Sequence, residues 1–348
     1  MSERQTVPVL ELKHTAMSEE EALRFLDGLR ISRGGRTMDP KAQIVGEFVK
    51  SIRVPGYYPP LPELRQQLRT MVSLMDEPAP ALPRIEDVSI PGPAGTLGAR
   101  VYDPAGTGTP PRPVVGYFHG GGWVQGDLET HHGLCARLAQ RSGALVVAVD
   151  YRLAPEHKFP AAVEDCVAAY RWLRSHAGDL GGDPARLGLA GDSAGGNLCA
   201  VVSQLAARAG EPLPACQALI YPAVDFALDT PSHRELEDGH VIPRDRILWY
   251  MEQYLRDEAD RADLRASPLR ATDLAGQPPT LVITAGFDPL RDEGQAYAER
   301  LRAAGVDVAH REYAGQIHAF VSLTRAIPQG LACTLEIGDY LGQRLGRA

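Results

Sequence analysis

The pentapeptide Gly191-Asp192-Ser193-Ala194-Gly195 lies between a short apolar run, Arg186 to Ala190, and a stretch rich in helix formers from Ala194 to Ala207. A Gly-x-Ser-x-Gly sequence with a strand before it and a helix after it obliges the chain to reverse sharply at the serine, which is lifted on a strained elbow. Ser193 is therefore expected where a strand becomes a helix, with Gly191 and Gly195 keeping Cβ atoms out of the bend. Such a pentapeptide also arises by chance in a chain with 35 glycines, so its partners elsewhere in the sequence must carry part of the reading.

Upstream, Pro113 to Phe118 reads as a buried strand that runs into His119-Gly120-Gly121-Gly122-Trp123. Glycines there free the backbone amides to point at a ligand instead of at each other. Acyl transfer needs such donors, because its tetrahedral intermediate places negative charge on the former carbonyl oxygen. The N–H groups of Gly121, Gly122 and Ala194 are the candidate oxyanion hole. A phosphate cradle of the dinucleotide type fits poorly: the spacing is not Gly-x-Gly-x-x-Gly, and no helix is expected directly after Gly122.

A serine nucleophile needs a base, and ten histidines compete for that role. His318 follows a turn after a strand expected over Asp307 to Tyr313, which puts it on the carboxyl rim of the sheet where open α/β folds bind ligands. His310 lies inside that strand and reads as a side chain of the sheet; His119 reads as an organiser of the glycine loop. For the acid, the apolar strand Pro279 to Ala285 ends in Gly286-Phe287-Asp288, so Asp288 shares the rim with His318. Asp292 and Glu293 are rivals, but they open a helix, where first-turn acids have an ordinary electrostatic explanation.

With HGGGW at 119–123, DYRLAPEHKFPAAVED at 150–165, GDSAGGN at 191–197 and DPLRDEG at 288–294, the chain resembles the bacterial hormone-sensitive-lipase family of α/β-hydrolase carboxylesterases over roughly residues 85–345. The resemblance implies a mostly parallel eight-stranded sheet with helices on both faces and a helical cap. It implies a triad of Ser193, Asp288 and His318 in that chain order, no metal or organic cofactor, and small esters of short to medium acyl chain as substrates. Trp123, Asp192, Tyr221, Phe287 and Ile317 are the candidate substrate-binding positions. One departure is visible, Ala319 where the family often has glycine. An amidase, arylformamidase or lactonase would use the same triad. A non-catalytic small-molecule receptor of this family type would lack the histidine, which is present here.

Composition sets the remaining limits. A net charge of -8 and a pI near 5.7 argue against a nucleic-acid surface. No run approaches the roughly 20 apolar residues of a membrane span, and the polar, acidic N-terminus lacks the apolar core of a secretory signal, so a cytoplasmic protein is expected. Cys135, Cys166, Cys199, Cys216 and Cys333 have neither zinc spacing nor a disulfide framework and are expected as buried thiols. A homodimer is compatible with the sequence, which does not specify one.

Three segments are expected. Residues 1–80 form an N-terminal helical cap segment, 81–224 with 269–348 the catalytic core, and 225–268 a cap insertion. In the first, Ser18 with Glu21 is a capping box before a short amphipathic helix. A second helix spans Pro62 to Met75, Ile52 to Pro60 cannot be regular helix, and Asp76 to Pro83 reads as a linker. A period-two hairpin, Ile85 to Ile90 and Leu97 to Tyr102, leads into alternating strands and helices, the signature of a parallel sheet covered on both faces. The insertion carries a helix from about Arg244 to Leu255.

Overall fold

The computed structural model describes residues 10–107 and 110–346. The strands run in chain order β1 (Ser32–Arg33), β2 (Arg36–Thr37), β3 (Arg84–Gly92), β4 (Gly95–Asp103), β5 (Arg112–Phe118), β6 (Leu145–Asp150), β7 (Gly182–Asp192), β8 (Gln217–Ile220), β9 (Thr280–Phe287) and β10 (Val308–Ile317). The first two pair only with each other; the rest form one eight-stranded sheet in the order β10-β9-β8-β7-β5-β6-β4-β3. Strands from β10 through β6 are parallel, and the β3–β4 hairpin adds the antiparallel edge.

Ten α-helices accompany these strands among the described residues: α1 (Glu19–Phe25), α2 (Pro40–Ile52), α3 (Leu61–Met75), α4 (His132–Ser142), α5 (Ala161–His176), α6 (Ala194–Arg208), α7 (Pro231–Glu235), α8 (Arg244–Tyr254), α9 (Arg291–Ala303) and α10 (Pro328–Arg344). The central strands bury both faces, and the period of two divides their side chains between two cores. Val114 and Phe118 of β5 join Cys166 of α5, Leu198 of α6 and Ala298 of α9 on one side. Val115 and Tyr117 join Ile44 of α2, Leu138 of α4 and Ile337 of α10 on the other. All five cysteines are buried and free, and no helix among the described residues is long and apolar enough to cross a membrane.

The capping box expected at Ser18 forms in both directions, with Ser18 Oγ accepting from Glu21 N–H at 3.2 Å and Glu21 accepting from Ser18 N–H at 2.7 Å. Three helices had no counterpart in the sequence reading: α2, α4 and the five-residue α7. In α2 the signal was present: Asp39 accepts from Lys41 N–H at the N-cap, and Pro40 occupies the first helical position. Helix α4 begins with polar residues inside a His-rich stretch and has no side-chain N-cap, so no start signal marked it, although Leu134, Cys135, Leu138 and Ala139 form a buried stripe. Residues 76–83 lack regular structure, as a linker should, but they are tied down. Asp76 accepts from Arg137 of α4 at 2.6 Å and from Thr324 Oγ1 at 2.6 Å, which pins the start of the segment to the core.

Candidate active site

Strand β7 ends at Asp192, helix α6 starts at Ala194, and Ser193 between them has φ 53° and ψ −116°. An L-residue adopts such a conformation at a cost of about 1–3 kcal/mol, and only where its surroundings over-determine it. Here the Ser193 N–H donates to Ile220 O at 2.8 Å, and Asn197 N–H returns to Ser193 O at 3.1 Å. The elbow also needs its flanking glycines. A Cβ on Gly195 would stand 1.9 Å from Phe118 O, and one on Gly191 would stand 2.5 Å from Gly195 O.

The carboxyl ends of β9 and β10 bring the other two polar groups to this elbow. Ser193 Oγ lies 3.0 Å from His318 Nε2, and His318 Nδ1 lies 2.6 Å from Asp288 Oδ2. The other Asp288 oxygen accepts from Leu290 N–H at 2.9 Å, so the carboxylate is held on both sides. Asp288 is fully buried and His318 nearly so. After His318 the chain takes a left-handed turn at Ala319, φ 65°. That explains why glycine is usual there; alanine occupies the region at a cost of roughly 1–2 kcal/mol. The rival acids are occupied elsewhere. Asp292 accepts from Ser232 N–H at 2.7 Å and from Arg291 Nε at 2.7 Å. Glu293 is buried and accepts from Val224 N–H and from His233, at 2.7 and 2.8 Å. Each thus has a bond more specific than a helix dipole.

Above Ser193 the loop after β5 lays Gly121 and Gly122 on the wall of a cavity of about 790 Å³. Both have positive φ, 118° and 63°. Side chains are excluded there: a Cβ on Gly121 would meet Gln125 O at 2.0 Å, and one on Gly122 would meet the ring of Tyr250 at 2.5 Å. The N–H groups of Gly121 and Gly122 have no acceptor among the described residues, and that of Ala194 is one of the unsatisfied donors at the first turn of α6. His119 stacks on Tyr151 with ring centroids 4.3 Å apart and donates its Nδ1–H to the Gly120 carbonyl at 2.8 Å. Burial, helped by the charge of His131, pushes its pKa down to about 4, so it stays neutral and shapes the loop.

The five flanking candidates divide. Trp123 lies on the cavity wall, stacked on Tyr254 with centroids 4.5 Å apart. Tyr221, Phe287 and Ile317 do not reach the cavity; they are buried beneath it, Tyr221 with its ring 4.6 Å from that of His318. Alternation along a strand explains Phe287 and Ile317, which point into the core while their neighbours Asp288 and His318 reach the rim. Asp192 touches the cavity, but its oxygens are already used: they accept from Tyr117 OH at 2.7 Å, Gly120 N–H at 2.9 Å and His131 Nε2 at 3.2 Å. Burial alone would raise its pKa, yet the charge and hydrogen bond of His131 and the bond from Tyr117 hold it below the ordinary carboxylate range. It fastens the glycine loop to the elbow. Asp192→Asn should therefore lower unfolding free energy by about 3 kcal/mol, since removing one partner of a buried pair strands the other. Urea denaturation of the variant measures this, and a loss below about 0.5 kcal/mol would contradict the role.

Sequence reasoning missed Tyr250, which covers Gly122 and receives Gln125 Nε2 at 2.9 Å. The residues of α8 on the cavity wall are Arg246, Ile247, Tyr250 and Met251. Those four share one face by the i, i+4 rule, whereas Leu248 and Trp249 fall on the other.

The eight-stranded, mostly parallel sheet with a serine raised on a strand-to-helix elbow defines an α/β-hydrolase. The family model of the alpha/beta hydrolase fold matches residues 115–322. The chain is 43% identical over 321 residues to the carboxylic ester hydrolase LipN of Mycobacterium tuberculosis, covering 90% of this chain and 85% of the relative. It is 38% identical to the ethyl acetate hydrolase of Pseudomonas putida, over 79% of this chain and 88% of that protein. The solved ester hydrolase EH1AB1 from the metagenome of Lake Arreo superposes with a TM-score of 0.85 at 40% identity, covering 89% of this chain and 99% of that one. The protein belongs to the alpha/beta hydrolase family, in its hormone-sensitive-lipase-like branch, and is a carboxylic ester hydrolase.

Proposed function

We propose that the protein hydrolyses small esters of short to medium acyl chain through a Ser193 acyl-enzyme, with His318 as base and Asp288 as its orienting acid. The observation that carries this reading is the continuous run of contacts from Asp288 through His318 to Ser193, at 2.6 and 3.0 Å. His318 takes the hydroxyl proton as Ser193 Oγ attacks the ester carbonyl. The oxyanion is received by the N–H groups of Gly121, Gly122 and Ala194. His318 then gives its proton to the leaving alcohol, and water repeats the sequence on the acyl-enzyme. Asp288 keeps Nδ1 protonated, so that Nε2 faces the serine, and stabilises the imidazolium without taking the proton.

Residues 1–80, of which 1–9 lie outside the described residues, and 225–268 act as a cap over this chemistry. In support, α2, α3 and α8 together contribute much of the cavity wall, including Phe48, Leu64, Met71, Ile247 and Met251. An apolar chamber of finite size limits acyl length. Each methylene adds about 0.8 kcal/mol while it can be buried and nothing, or a penalty, once the space is full. Measured on 4-nitrophenyl esters of graded length, kcat/KM should rise through about four to eight acyl carbons and fall beyond about ten. A profile that climbs without a break to long chains would contradict the bounded chamber.

A further inference from the structure

Two guanidinium groups stand on the otherwise largely apolar wall of the cavity, Arg53 just after α2 and Arg246 on α8. Other charged groups on that wall are committed. Asp192 is paired with His131, Asp225 with Arg270, and Glu293 with His233. Glu63 is exposed and accepts from Gln67 Nε2 at 3.1 Å. The two arginines differ from these. Arg53 reaches the Gly239 carbonyl at 3.4 Å, and Arg246 lies 4.7 Å above the ring of Tyr58 and 5.8 Å from that of Tyr250. Neither forms an ion pair among the described residues, although the exposed Asp245 is close enough to be felt by Arg53. Burial lowers the pKa of Arg53; Asp245 at the helix surface opposes this, while the neighbouring Arg246 adds to it, so the two guanidinium charges work against each other. Like charges in a partly desolvated chamber are unfavourable until an anion joins them, and each guanidinium offers a planar fork suited to a carboxylate.

On the strength of the esterase reading above, we propose that Arg53 and Arg246 form an anion subsite that selects esters bearing a carboxylate remote from the scissile bond. Position supports this. Tyr250, one turn along α8 from Arg246, covers Gly122, and one turn is about 5.4 Å. The anion is therefore held beyond the Tyr250 ring, several methylenes from the carbonyl under attack.

The test compares esters matched except for a terminal carboxylate. One arm sets mono-4-nitrophenyl adipate against 4-nitrophenyl hexanoate, placing the charge on the acyl side. The other sets 6-acetoxyhexanoate against hexyl acetate, placing it on the alcohol side. In at least one arm the anionic ester should be favoured in kcat/KM by about tenfold, equivalent to 1.4 kcal/mol, chiefly through KM. That preference should shrink as salt shortens the Debye length, and should fall toward unity in the Arg53→Gln/Arg246→Gln double variant. No preference in either arm, or one that salt and the double variant leave intact, overturns the subsite. Should the variant fail to fold, the salt dependence of the native protein decides alone. Cleavage of the neutral esters without an anionic preference sinks only the subsite. Cleavage of none of the four sinks the esterase reading, and calorimetric binding of adipate against hexanoate then still decides the subsite.

Discussion

Ser193→Ala should abolish ester turnover, by about a million-fold, because loss of a nucleophile removes the acyl-enzyme route entirely. The fold should survive. The side chain of Ser193 bonds to His318, whereas the elbow is held by backbone bonds to Ile220 and Asn197 and by the close approach of Gly195 to Phe118 O. Alanine faces the same penalty at φ 53° as serine. The thermal midpoint should therefore stay nearly unchanged while initial rates on 4-nitrophenyl butyrate vanish into background. A variant that kept a tenth of the activity would show that another group performs the attack.

Asp288→Asn should cost roughly 10⁴-fold in turnover, through the wrong tautomer of the histidine. Asp288 Oδ1 is committed to the Leu290 N–H, so an asparagine there keeps its oxygen on that donor and turns its NH₂ toward His318 Nδ1. The ring then meets a donor where it needs an acceptor, and Nε2 carries the proton that should have been left on Nδ1. Asp292→Asn removes charge from contacts with Arg291 and Ser232, both away from His318, and should change stability by about 1 kcal/mol with little loss of rate. Steady-state kinetics on the two variants decides the assignment. The reverse ranking would move the acid to Asp292.

What could be read in advance follows from how local each cause is. The elbow, the glycine loop and the carboxyl-end positions of Asp288 and His318 depend on short-range rules: which backbone angles a residue tolerates, and which strand precedes it. The capping box at Ser18 and the β3–β4 hairpin are equally local. Helix α4 was not legible because no capping residue marks its start and its stability comes from packing on α10 and the sheet. The placement of Tyr221, Phe287 and Ile317 beneath the site depended on strand register, which shifts an entire face when it moves by one residue.

The amino-acid sequence by itself determined the order of the chemistry-bearing motifs, the α/β alternation and the strained turn under Ser193, since glycine spacing and strand-to-helix junctions act over a few residues. Tertiary structure alone decided which side chains meet. Asp192 meets Tyr117 and His131, Tyr250 covers Gly122, and Arg53 and Arg246 share one chamber. Those meetings join segments far apart in the chain, and they depend on how helices settle on the sheet, where packing of whole faces outweighs any preference written in a single segment.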